Sequence, residues 1–197
     1  MPIKMSLGLK TRILQYICFF GTVSGIWIAS PGGLWCSFFL YLFLQTFASN
    51  IALHRYFGHR AFTVSRPVEN VFAVLATMIG VGSVVAWTAQ HGHHHENSDT
   101  RHDVHSPHFQ GAFRILFLLW NLNIIKKGNF RHLLRNPFIM FLHQHYFKIH
   151  FFYAAALCLV SPLWFIYGYC IPNTLCLLAG YALAIIDHWH GYQTYDN

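Results

Sequence analysis

The chain has 197 residues and a formal charge of +7, and it is 55% hydrophobic and 18% aromatic but only 10% charged. Soluble domains carry roughly 25% charged residues, so this composition excludes an ordinary soluble globular domain and points to a lipid environment. The basic excess does not mark a nucleic-acid binder, because Lys and Arg are scattered among apolar stretches without a basic motif; membrane orientation and anionic headgroups account for them.

A membrane-crossing helix needs about 20 mainly apolar residues. Two such runs come early, Ile13 to Ser30 and Leu34 to Leu53, separated by Pro31, Gly32 and Gly33. So short a connection predicts a helical hairpin that crosses the membrane and returns. The basic start followed by Ile13 to Ala29 has the outline of a cleavable signal peptide, but the immediate second run favours an uncleaved anchor. From His54 to His150 the sequence is mixed. Val71 to Trp87 and Ala112 to Trp120 are expected to be surface-lying helices, and Asn121 to Lys148 an interfacial segment. A second apolar pair, Phe151 to Cys170 and Pro172 to about Ile186, predicts a second hairpin, with Pro172 in the first turn of a rather short last helix.

The charge map agrees. Lys4, Lys10 and Arg12 precede the first run, and the other ten Lys and Arg lie between Arg55 and Lys148. With four spans all 13 basic residues fall on one side, which the positive-inside rule makes cytoplasmic. The expected fold is therefore all-α and integral to the membrane: four transmembrane helices in two hairpins with a cytoplasmic histidine-rich helical cap. Both termini are cytoplasmic, and the whole chain 1–197 forms one domain. Cys18, Cys36, Cys158, Cys170 and Cys176 form no CxxC pair and read as small apolar side chains.

Histidine carries the chemistry. Thirteen of the 15 histidines lie in the central block, seven of them between Gln90 and His108, and none within a span. That sidedness argues against a proton path through the bilayer. At the cytoplasmic end of the second run, His54 and His59 form HxxxxH. His91, His94 and His95 form HxxHH, whose offsets of three and four put His91 beside both partners on one helix face. Several neutral imidazoles converging on one point suit Fe, Zn or Cu better than Mg or Ca. His93, His102, His108, His132, His143, His145 and His150 are expected to be ordinary surface or headgroup-contacting residues.

These residues also carry a resemblance. HRYFGHR (54–60), TVSRPVEN (63–70) and HGHHHENSDTRHDVHSP (91–107) resemble the first two histidine boxes of the membrane fatty acyl desaturases, the stearoyl-CoA desaturase family. His188 to Asp196 is similar to the family's H-x-x-G-Y-x-x-Y-D segment. The resemblance implies a non-haem di-iron centre at the cytosolic face that uses O2 and two electrons to introduce a double bond into an acyl chain. It implies His54, His59, His91, His94, His95 and His188 as iron ligands. Asp103 and His105 match the family's D-P-H flank, with Val104 in place of proline, and Asp103 is expected to orient a ligand imidazole. The implied partners are a fatty acyl substrate linked to CoA or lipid, an electron-donor protein and membrane lipids, with no nucleic acid.

The chain also departs from the family. Ala184 stands where an asparagine precedes the ligand histidine, Asp187 replaces a small residue, and Asn197 ends the sequence before the family's third box, H-x-x-H-H. The expectation is a C-terminally incomplete desaturase domain, whether truncated product, gene fragment or degenerate relative. Such a chain is expected to hold fewer than two irons and not to desaturate unaided. The alternatives are a histidine-rich membrane metal-binding protein without O2 chemistry, a related membrane di-iron hydroxylase, and a metal-free structural membrane protein.

Overall fold

The computed structural model describes residues 7–117, 119 and 130–189. Among them every regular element is helical: α1 (Leu7–Ile26), α2 (Pro31–Gly58), α3 (Arg66–Met78), α4 (Val84–Glu96), the short α5 (Pro107–Gln110) and α6 (Ala112–Leu116), α7 (Pro137–Gln144), α8 (Tyr146–Val160) and α9 (Pro162–Trp189). Two of these, α2 and α9, are 28 residues each and are long and apolar enough to cross a membrane. The helix α1 has 20 residues and α8 has 15.

The turn between the first two helices falls where the sequence predicts, at Ser30 and Pro31. Ser30 caps α2, its Oγ accepting from the Gly33 amide at 3.1 Å, and Pro31 occupies the first turn, where its missing N–H costs nothing. The backbone N–H of Ser30 donates to the Tyr167 hydroxyl at 2.8 Å, which ties the turn to α9. Along α1, Gly21 and Gly25 face Cys170 and Ile166 so closely that neither glycine has room for a Cβ. Small residues four apart let two helix backbones approach, as is usual between helices in lipid.

The second hairpin is placed differently from expectation. The run Phe151 to Cys170 is not one span: α8 stops at Val160, and Ser161 is extended at φ −168°, ψ 141°. The Ser161 hydroxyl accepts from the Leu163 amide and starts α9, with Pro162 in its first turn. The rest of that run belongs to α9, which is consequently not short. Pro172 lies inside α9 instead of at its start. Immediately before it, Ile166–Cys170 winds with the wider i→i+5 turn, the local adjustment that accommodates a proline lacking its N–H.

The lower part of α2, Leu44–Gly58, also has the wide turn, and it buries Leu44, Ala48, Ala52, Leu53 and Phe57 against α3 and α4. Both α3 and α4 also pack inward, although α3 keeps Val68, Val71 and Val74 exposed on its other face. Both enter the core through Ala73, Ala76, Ile79, Val84 and Val85. The loop between them is buried and passes Gly80 (φ 71°) and Gly82 (φ 118°), angles open to glycine and strained for other residues. Non-helical backbone is tolerated inside such a bundle only when its polar groups are paired. Here Gln15 donates to the Gly80 carbonyl at 3.4 Å, the Gly82 amide donates to the Tyr146 hydroxyl at 3.0 Å, and His150 donates to the Thr77 carbonyl at 2.9 Å.

Candidate metal centre

The wide winding of α2 explains the HxxxxH spacing. In an α-helix, residues five apart point about 140° from each other. In an i→i+5 turn they come back to the same side, and the His59 amide closes that turn onto the His54 carbonyl at 3.0 Å. Their Nε2 atoms lie 3.0 Å apart. The neighbouring helix α4 is started by Ser83, whose Oγ accepts from the Ala86 amide and is hydrogen-bonded with His143 Nδ1 at 2.6 Å. On α4, His91 and His95 stand one turn apart, as HxxHH predicts.

The two helices bring four imidazoles to one point. His91 Nε2 is 2.9 Å from His59 Nε2 and 3.1 Å from His95 Nε2, and the ligand atoms of His54, His59, His91 and His95 all lie within 4.8 Å of one another. The indole of Trp87 stacks on His91, with ring centroids 4.4 Å apart and planes at 19°. Burial and the neighbouring imidazoles push His91 down to about 2, and burial followed by His94, His59 and His54 pushes His95 down to about 4. Both rings are therefore neutral near pH 7, which is the form that binds metal.

A second group adjoins the first. His94 Nδ1 donates to Asp103 at 2.8 Å, and His188 Nδ1 donates to Asp99 at 2.7 Å. A carboxylate accepts only, so each of these rings carries a proton on Nδ1 and leaves Nε2 as the nitrogen available to a metal. The two rings are 5.1 Å apart, and His94 is 5.3 Å from His95. Asp103 is fully buried and also accepts from the amides of His105 at 2.8 Å and Asp99 at 3.0 Å. Burial alone would raise its carboxyl, but the hydrogen bonds from His94 and the two amides outweigh it and hold the group below the usual carboxylate range. With three donors already engaged, Asp103 suits the orienting role better than ligation. His105 lies beside His94 at 5.4 Å, and burial pushes it down to about 3.

All eight residues singled out in the sequence thus gather at one end of α2, α4 and α9. Asp99 and Trp87 were not foreseen. Asp99 pairs with a histidine 89 positions away, a relation without local periodicity. Trp87 precedes His91 by one helical turn, a signal available in the spacing. Two histidines expected at the surface are buried instead, because each finds polar partners there: His93 at 3% exposure and His150 at 1%. His150 donates to Thr77 and accepts from the Tyr169 hydroxyl at 2.7 Å, so neither of its nitrogens is open to a metal. His108 donates to the His188 carbonyl at 2.8 Å and holds the end of α9. His190 lies outside the described residues.

Comparison with known proteins bears directly on this arrangement. The chain matches no family model. It is 36% identical over 106 residues to a hex-5-enoyl-[acyl-carrier protein] acetylenase of Moorena producens, covering 52% of this chain and 31% of that protein. It is 26% identical to an acyl-CoA 5-desaturase of Anemone leveillei, over 93% of this chain and 58% of the relative. Against stearoyl-CoA desaturase 2 of Mus musculus it is 25% identical over 99% of this chain and 59% of that one. The chain is similar to fatty acyl desaturases. It spans between about a third and three fifths of the length of these relatives. The four-imidazole group offers four nitrogen donors of the kind that suits a borderline cation, and His94 and His188 stand beside it.

Proposed function

We propose that this chain carries the histidine centre of a membrane fatty acyl desaturase that works by O2-dependent, di-iron dehydrogenation of an acyl chain to a cis alkene. The observation that supports it best is the convergence of His54, His59, His91 and His95 beside two carboxylate-oriented imidazoles, at the ends of two long apolar helices. In this reading the four-histidine group holds one iron, and His94 and His188 contribute to holding the other. Bound iron with O2 supplies the oxidising power that an unactivated methylene requires, since acid–base groups alone cannot attack it.

The protein's own residues do the rest. Asp99 and Asp103 fix ring orientation by holding Nδ1–H of His188 and His94, and leave Nε2 as the nitrogen that would bind the metal. Trp87 walls one side of His91 and excludes water from it. The membrane placement also belongs to this reading: α1, α2, α8 and α9 cross as two hairpins, with outward Phe20, Trp27, Phe39, Phe151 and Leu159 in lipid. The histidines and both termini are cytoplasmic. An acyl tail then reaches the centre from the bilayer, its CoA or lipid head meets the basic cytosolic block, and an electron-donor protein docks on the same side.

The test is metal analysis of the purified chain, together with mass spectrometry of acyl products in a desaturase-deficient host. The host expresses the chain alone or with an H-x-x-H-H segment appended. Iron retained by the chain and lost in His54→Ala and His94→Ala, with a new double bond in either arm, supports the reading. A hydroxylated product would assign the centre to the hydroxylases. Absence of metal binding would overturn the proposal.

A further inference from the structure

His93 sits within the second histidine box but belongs to neither metal group. It lies about 200° around α4 from His91 and is 3% exposed. Both of its ring nitrogens are engaged. Nε2 is 3.1 Å from the His102 carbonyl, which can only accept, so Nε2 carries the proton. The Asn97 amide donates to Nδ1 at 3.0 Å and to the His93 carbonyl at 2.8 Å. The ring is fully paired, with no lone pair left for a metal.

What these bonds hold is the turn from Asn97 to Asp103. Within it Asp99 has φ 56°, a left-handed conformation uncommon outside glycine. Thr100 closes the turn by donating its amide and hydroxyl to the Asn97 carbonyl at 3.0 Å and 2.7 Å. The Asp99 amide reaches Asp103, and Ser106 donates to Asp99 at 2.9 Å. The two carboxylates that set the tautomers of His188 and His94 both stand on this turn. From α4, His93 bonds the far end of this turn through the His102 carbonyl next to Asp103, on the side of the helix away from His91, while His94 bonds Asp103 itself.

We propose that His93 is a positioning residue: by pinning the Asn97–Asp103 turn to α4 it keeps Asp99 and Asp103 where they hold Nδ1–H of His188 and His94 and leave Nε2 for a ligand role. The use of those Nε2 nitrogens as ligands rests on the desaturase reading; the tautomers themselves do not.

The experiment reads the tautomers directly. Full-length protein carrying nitrogen-15 histidine is purified in detergent without metal, and ring signals are assigned with His94→Gln and His188→Gln. Wild type is expected to show both rings protonated on Nδ1. In His93→Leu both shift toward the mixed tautomers of a free imidazole, and in Asn97→Ala they shift part of the way. His93→Gln, which keeps a donor for the His102 carbonyl, restores them. Titration with Co2+ alone adds a second readout. Affinity at the His94–His188 group falls about 10–100-fold in His93→Leu, the scale of losing an outer partner of a metal site, while the four-histidine group is unaffected. Unchanged tautomers in His93→Leu and Asn97→Ala, or equal loss at both groups without recovery in His93→Gln, would overturn the proposal. Should wild type bind no Co2+ at either group, the desaturase reading falls while the tautomer spectra still decide the role of His93.

Discussion

His91 concentrates three influences on one ring: a stacked indole, three imidazoles facing its Nε2 edge and withdrawal from water. Withdrawal from water and the neighbouring imidazoles disfavour the protonated form, and burial does the same for His95 and for His105 beside the second group. The consequence for stability has a definite sign. All three start from 6.5 and are lowered on folding, to about 2, about 4 and about 3 respectively. Between 6.5 and those values the unfolded chain binds protons that the folded chain refuses, so stability is full above pH 6.5 and is lost as pH falls. For His95 the loss stops near pH 4, where the folded ring itself protonates. Each refused proton is worth at most about 1.4 kcal/mol per pH unit, and exposed His95 contributes far less through solvent screening. Thermal unfolding of metal-free protein in detergent should therefore show a melting temperature that declines from pH 7 to pH 4.5. Replacement of His91 by Gln should flatten that decline, and a melting temperature independent of pH would contradict the burial of these rings. The box histidines were legible in the sequence as ligand types, because HxxHH has a helical meaning. Asp99 was not, since its partner His188 reaches it only after the chain has folded.

The elements bear on the centre mainly through helix winding and close backbone approach. The wide turns of α2 make HxxxxH a one-sided pair, and the same winding brings Gly58 against α4. A Cβ at Gly58 would stand 3.0 Å from His91 Cδ2 and 3.3 Å from Trp87 Cζ3, tighter than ordinary contact. Gly58→Ala should thus shift His91 by a few tenths of an ångström, comparable to the roughly 0.2 Å that metal–ligand distances allow. Metal affinity at the four-histidine group is expected to fall by about 10-fold, in line with losses from disturbed ligand orientation, while the fold survives. Gly92→Ala, on α4 with nothing within 4 Å of its Cβ, is the control and should bind as wild type. Isothermal titration of both variants checks this, and equal affinities would show that α4 yields freely. The wide winding was not readable in advance, because hydrophobic period distinguishes helix from strand far better than one helix type from another. The second hairpin was misplaced for a related reason: Ser161 and Pro162 interrupt the apolar run no more visibly than Pro172 does, and only packing decides that the chain turns at the first and continues through the second.

At the scale of the molecule, the apolar helices and the polar centre impose one arrangement on each other. The His54 end of α2 and the His188 end of α9 meet at the centre, so the other ends, near Pro31 and Pro162, lie away from it. Both hairpin tips lack Lys and Arg, whereas the histidine side carries Arg55, Arg60, Arg66, Arg101 and Arg114. If the long helices cross a bilayer, the positive-inside rule assigns the centre to the cytoplasm and the tips to the opposite face. Cysteine accessibility tests this with the chain intact. In a background where exposed Cys36 and Cys158 are changed to alanine, Gly32→Cys places a thiol at a tip where a Cβ meets nothing within 4 Å. Arg101→Cys places one on the exposed turn beside the centre. In intact cells a membrane-impermeant thiol reagent should label Gly32→Cys and leave Arg101→Cys unreacted until the membrane is opened. Labelling of Arg101→Cys in intact cells would put the histidines outside. The acyl chain, the electron donor and the metal could then no longer meet on the cytosolic face, and the assignment of the basic block to substrate headgroups would fall with them.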